Sequence, residues 1–190
     1  NGYVVARHEN IKEEDFKAKV EEYATSVPTG GVAIVYYVGL AAHAQRFDKW
    51  YNLLRPVEAK IESDNEYRDV GLNIDEDLIT PLRELGGSNR NLIFLDACWE
   101  SPLLPEKGTI NGGLKAFETE PDTLVMFAAP SEQLTAAPSD DGPTALAKAI
   151  GKHLGAFDNS VDNAAGSIAK ETGNGWFGGA SEKGIGSRPK

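Results

Sequence analysis

Residues 91–98 read NLIFLDAC, an apolar run that ends in an acid, an alanine and the one cysteine of the chain. Residues 91–95 lack the polar alternation of a half-exposed strand and are typical of a strand covered on both faces in a parallel sheet. In open sheets of this kind, functional side chains gather beyond the carboxyl ends of the strands. The segment therefore predicts a buried strand that carries Asp96 and Cys98 to one edge of a sheet.

Two further apolar runs predict strands, at residues 31–38 (GVAIVYYV) and 123–128 (TLVMFA). Helices are predicted from apolar residues at helical spacing, or from residues that typically begin and end a helix. The predicted helices are at 11–26, 72–85, 144–154 and 159–172. The second of them has either a kink at Pro81 or a true start at Thr80. Strands that alternate with helices predict an α/β fold with a mostly parallel sheet flanked by helices on both faces.

The remaining segments have weaker patterns. Residues 3–6 are predicted as a short strand, and Asn10 as the N-cap of the first helix. We expect a loop at 39–51, a short edge strand at 53–57 and an exposed charged segment at 62–67. The whole is expected to form one domain over residues 1–179 with a C-terminal tail over 180–190.

The composition narrows the range of partners. The 190-residue chain has a net charge of −10 and a pI of about 4.8, which argues against nucleic acid and anionic membranes because both attract a basic face. No apolar run approaches the roughly 20 residues that span a bilayer. A single cysteine excludes an internal disulfide and a multi-cysteine metal site, and leaves the compartment open with the cytoplasm favoured.

Cys98 and His43 form a candidate catalytic pair. A thiol nucleophile needs a group that takes its proton, and imidazole suits this role because its pKa lies near working pH. The two residues are 55 positions apart and follow the runs at 91–95 and 31–38, which we expect to be neighbouring strands. A histidine about 50 residues upstream of the cysteine is the spacing of caspases.

Longer stretches carry the same likeness. The segment IVYYVGLAAHAQ, followed by NLLRPVEAKI, resembles the histidine region of the clan CD caspase-like peptidases, whose members typically read YYAGHGxQ and NYLIPVDA. NLIFLDACWESP resembles their cysteine motif, LDACRDNP, and residues 113–154 resemble the segment that follows it. The resemblance extends over residues 31–179. The family that it indicates includes the bacterial orthocaspases, metacaspases and paracaspases.

This resemblance implies a caspase-hemoglobinase fold and a cysteine endopeptidase that needs neither a metal nor an organic cofactor. Cys98 matches the nucleophile. Asp96 matches an acid that lines the primary specificity pocket in metacaspase-like members and selects Arg or Lys in a peptide or protein substrate. The family's first strand and helix have no counterpart upstream, so we expect another segment or a second chain to complete the sheet.

The histidine motif departs from the family pattern. If the strand end YYVG is aligned without a gap, Leu40 takes the place of the histidine and Ala41 that of the next glycine. If residues are inserted in the loop, His43 takes the role, and the downstream spacing to Pro56 fits this alignment better. With His43 the chain is a peptidase; with Leu40 it is a catalytically inactive binding or regulatory module.

Simpler interpretations remain beside these. Cys98 would also fit a small buried core residue, and Asp96 a cap of the following loop. The pair at 140–141 (Asp-Asp) suits a turn better than a calcium site. A flavodoxin-like receiver or nucleotide-binding domain would explain an aspartate at a strand end, but the chain has no glycine-rich phosphate loop after its first strand.

Overall fold

The computed structural model describes residues 3–46, 48–57, 64–87, 90–97, 110–120, 122–134, 142–155, 161–173 and 176–177. Its helices are α1 (Glu13–Ser26), α2 (Asp64–Val70), α3 (Thr80–Leu85), α4 (Ala145–Gly155) and α5 (Val161–Thr172), and a π-helical segment, Ile74–Ile79, leads into α3. The strands are β1 (Val32–Val38), β2 (Ala41–Arg46), β3 (Lys49–Leu54), β4 (Leu72–Asn73), β5 (Arg90–Asp96), β6 (Ile110–Gly112), β7 (Thr123–Phe127) and β8 (Trp176–Phe177).

The main sheet has the strand order β1-β5-β7-β8, in which the first three strands are parallel and β8 is antiparallel. These three parallel strands are the three apolar runs of the sequence. In the pairing of β1 with β5, Val38 lies opposite Asp96. The predicted α/β class is thus confirmed, and β1 and β5 are neighbours, as predicted.

Alternate residues of these strands enter two separate cores, one on each face of the sheet. On one face, side chains such as Ala33, Ile93 and Val125 pack with α1, α3 and the π-helical segment. On the other face, Leu92 and Leu124 pack with α4 and α5. Burial on both faces explains the continuous apolar runs of β5 and β7, whereas in β1 only Ala33 is fully buried.

A second, antiparallel sheet has the order β4-β3-β2-β6. The predicted loop at 39–51 was therefore wrong, because most of it forms β2 and β3. The predicted edge strand at 53–57 was also wrong, since β3 pairs on both sides. Alanine is a poor strand former. The buried Ala41, Ala42 and Ala44 nevertheless lie in a strand, because β2 pairs with β3 on one side and with β6 on the other.

Three local predictions also fail. Residues 3–6 form no strand, and Val4 is 96% exposed. Asn10 has a φ of 53° and does not cap α1, whose N-cap is Lys12. Tyr67, expected in an exposed segment, is buried. The predicted helix at 72–85 divides into β4, the π-helical segment and α3, and the alternative start at Thr80 is confirmed.

Gly39 is the point at which the chain leaves the main sheet for the small one. Its N–H donates to the Asp96 carbonyl at 3.4 Å. A Cβ on Gly39 would lie 2.4 Å from the Tyr37 hydroxyl oxygen, so the close packing of Tyr37 requires glycine here. Among the described residues, no helix is both long enough and apolar enough to cross a bilayer.

Candidate active site

Asp96 ends β5 with its carboxylate fully buried, at 0% exposure. Oδ2 accepts hydrogen bonds from the Tyr36 hydroxyl, at 2.8 Å, and from the Thr144 hydroxyl. Oδ1 is also buried and accepts no hydrogen bond from the described residues. Burial raises the pKa of Tyr36, and the bond to Asp96 raises it further, so the phenol keeps its proton and donates it. One oxygen of the Asp96 carboxylate therefore has two hydrogen-bond donors, and the other has none among the described residues.

Thr144 ties this carboxylate to the start of α4. Its hydroxyl oxygen accepts the Ala147 N–H at 3.1 Å, which is the bond of a helix N-cap, while the hydroxyl proton points to Asp96. The sequence predicted the helix here but not its contact with Asp96. Thr144 and Tyr36 lie 48 and 60 positions from Asp96, so no local pattern revealed either partner.

His43 lies in β2 and is 4% exposed. Its Nδ1 is 3.3 Å from the carbonyl oxygen of Gly113, and its ring centroid is 5.2 Å from that of Trp50. Because a carbonyl oxygen only accepts, this contact places the proton of the neutral ring on Nδ1. Nε2 then has the free lone pair, which is the form that a general base requires.

The segment that presents Gly113 to His43 is held firmly. The Asn52 side chain bonds both backbone groups of Lys115, donating to its carbonyl and accepting its N–H, each at 2.8 Å. The Lys115 ammonium lies 4.7 Å from the centre of the Trp50 ring and pairs with Glu132. The hydrogen bond from the Lys115 ammonium lowers the pKa of Glu132. The surroundings of His43 are thus fixed by the hairpin of β2 and β3.

Leu40 directly follows Gly39, in the connection between β1 and β2. Its carbonyl accepts the Arg55 N–H at 2.9 Å and the Tyr37 hydroxyl at 3.4 Å. Leu40 follows Val38 by two positions, as Cys98 follows Asp96, and Val38 and Asp96 are partners in the sheet. The pairing of β1 with β5 stops at Val38 and Asp96, and Leu40 lies two residues beyond the last pair on the β1 side.

Cys98 itself lies outside the described residues, and so does the aspartate pair at 140–141. The structure thus places Asp96 and Leu40 at adjacent strand ends and His43 further along, in the small sheet. In the part of the chain that the structure describes, no hydrogen bond joins His43 to Asp96 or its two hydroxyl donors. No group of three or more histidine, cysteine or carboxylate side chains suited to a metal ion is found among the described residues.

Comparison with protein-family models, with curated proteins and with solved structures finds no match to this chain.

Proposed function

We propose that this chain is a caspase-like domain that binds peptide segments containing a basic side chain and does not cleave them. The observation that carries this proposal is the position of Leu40. When the strand end YYVG is aligned with the family motif without a gap, Leu40 stands where a peptidase of this kind needs an imidazole, and it lies two residues beyond the last pair of β1 with β5. The order of parallel strands, with both flanking helix layers, supports the family assignment.

The chemical reason is simple. A free thiol has a pKa of about 8.5 and is only a weak nucleophile near neutral pH unless a neighbouring base or positive charge favours the thiolate. A leucine offers neither. Ala41, which replaces the family's glycine after the histidine, pairs with Leu54 in the small sheet and is buried. We therefore propose that the chain recognises peptides but does not cleave them.

Recognition is assigned to Asp96. A buried carboxylate oxygen without a donor costs on the order of 1–3 kcal/mol, and a guanidinium or ammonium group would provide the missing hydrogen bonds and a matching charge. Tyr36, which donates to Asp96, is 43% exposed, so this donor belongs to a residue at the surface. The net charge of −10 adds a weak long-range attraction for basic peptides.

A binding titration tests this assignment. The probes are a blocked peptide with one arginine and the same peptide with citrulline, which keeps the shape and loses the charge. We expect the wild type to bind the arginine peptide at least about tenfold more tightly, and Asp96→Asn to lose this preference, since charged hydrogen bonds contribute roughly 1.5–3 kcal/mol. Asp75→Asn, the same change at an exposed site, is the matched control. Equal binding of both peptides by the wild type would refute the assignment.

A second candidate function is cysteine endopeptidase activity with His43 as the base. The observation that favours it is the contact of Nδ1 with the Gly113 carbonyl, which orients the ring and leaves Nε2 as the acceptor. In this mechanism Nε2 takes the Cys98 thiol proton, the sulfur attacks the peptide carbonyl, and the imidazolium returns the proton to the leaving amine. Water then hydrolyses the acyl-enzyme. Cleavage after Arg or Lys that disappears in both Cys98→Ala and His43→Gln would establish this candidate.

A further inference from the structure

β1 is an edge strand with a composition that favours self-pairing. It ends the order of the main sheet, and within the described ranges no strand pairs with its outer side. Its sequence, VAIVYYV, has no charge, no proline and no glycine. Tyr36 and Val38 are 43% and 49% exposed. An exposed edge of this kind is a template for pairing with another chain unless something blocks it.

The outward backbone groups of β1 can be identified from its bonds to β5. In a parallel pair, alternate residues direct both their N–H and their C=O to the same neighbour. Gly31 and Gly39, at either end, bond to β5 residues, so odd-numbered positions face β5. Ile34 therefore directs its N–H and C=O to the open side of the sheet.

Both of these Ile34 groups are occupied by one side chain. The Ile34 N–H donates to the Tyr23 hydroxyl oxygen at 3.0 Å, and the Tyr23 hydroxyl donates to the Ile34 carbonyl at 3.2 Å. Tyr23 belongs to α1, and its ring packs against the core on that face. The hydroxyl thus takes the place of one residue of a neighbouring strand, at the middle of β1.

We propose that Tyr23 blocks the pairing of β1 with β1 of a second copy of this chain. A new strand would have to bond Ile34, and it cannot do so while the phenol occupies both groups. Two residues on one side of this block, Tyr36 and Val38, are too few for a stable pairing. The inference rests on these contacts alone and is independent of peptide binding.

The test is the variant Tyr23→Phe, which keeps the ring and removes the hydroxyl. In sedimentation velocity we expect the wild type to remain monomeric and Tyr23→Phe to associate as concentration rises. Tyr37→Phe is the matched control, because the Tyr37 hydroxyl bonds Leu40 and Arg55 and not the outer edge. Adding Val38→Lys to Tyr23→Phe should restore the monomer, since a charge on an exposed edge strand opposes pairing.

Amide hydrogen exchange on the wild type provides a readout that needs no variant. The Ile34 amide should exchange more slowly than the Tyr36 and Val38 amides, although all three face the open side. A Tyr23→Phe variant that stays monomeric, an association that Val38→Lys does not reverse, or an Ile34 amide that exchanges as fast as its two neighbours would each overturn the proposal.

Discussion

The Thr144 hydroxyl donates to the Asp96 carboxylate and, with the same oxygen, accepts the Ala147 N–H at the start of α4. One side chain thereby joins the end of the central strand β5 to the helix layer that covers it. The carboxylate is not presented as an open charge at the sheet edge. It is held between a strand tyrosine and a helix cap, and its second oxygen accepts no hydrogen bond from the described residues.

Removal of this hydroxyl should destabilise the fold more than the loss of an ordinary helix cap. Thr144→Val removes the cap of α4 and one donor to a buried carboxylate, so we expect a loss of about 2–3 kcal/mol in the free energy of unfolding. Urea denaturation measures it. Thr172→Val is the control, because the Thr172 hydroxyl donates to backbone carbonyls of its own helix. Equal losses in the two variants would contradict the role given to Thr144.

Gly113 holds the carbonyl that contacts His43, and its backbone should tolerate no side chain. Its φ is +80°, and a Cβ would lie 2.7 Å from the Gln133 carbonyl oxygen. Gly113→Ala should therefore lower stability by about 2 kcal/mol or more. Gly151→Ala, in α4 with nothing within 4 Å, should instead raise stability by roughly 0.5–1 kcal/mol. Thermal unfolding of both variants checks the predicted opposite signs.

Asn52 should be sensitive to a change of one atom. Its amide donates to the Lys115 carbonyl and accepts the Lys115 N–H. Asn52→Asp keeps the shape but places a second acceptor against the carbonyl, so we expect a loss of about 1–3 kcal/mol at neutral pH. Asn52→Ala should cost a similar amount by leaving both backbone groups unpaired. Urea denaturation that gives wild-type stability for both variants would show that this contact contributes nothing.

The contact between α4 and α5 should depend on pH. Hydrogen bonds from Lys152 and His153 lower the pKa of Glu171 below its ordinary value of 4.5. A carboxylate with a lowered pKa in the folded state stabilises the fold above its unfolded pKa, and this contribution is lost as pH falls through the folded value.

Glu171→Gln should therefore lower Tm slightly near neutral pH and have no effect well below pH 4.5. Glu84→Gln, at an exposed position of α3, should leave Tm unchanged throughout. If Glu171→Gln and the wild type still differed in Tm in strong acid, the effect of Glu171 on stability would not come from its charge.

The parallel sheet was predictable because each of its three strands is a continuous apolar run, although only β5 and β7 are buried along almost their whole length. The small sheet was not, since β2 reads AAHAQR and one of its two partner strands lies about 70 positions away. For the same reason the sequence marked Asp96 and His43 as candidates but not their neighbours. Tyr36, Thr144 and Gly113 reach them only through the assembled fold.

The histidine motif shows where spacing alone is insufficient. From the sequence, Leu40 and His43 were equally acceptable as the residue that follows β1. In the structure, the pairing of β1 with β5 ends at Val38 and Asp96, and Leu40 lies two residues beyond it. His43 lies three residues further, in a strand of the other sheet.

Hydrolysis of fluorogenic peptides that end in Arg or Lys tests the central claim most directly. Wild type and Cys98→Ala are compared at equal concentration over neutral and mildly acidic pH, with folding of both checked by circular dichroism. With Leu40 in place of the catalytic base, as proposed, we predict the same background signal from both proteins. Release of fluorophore by the wild type that is lost in Cys98→Ala would contradict the account.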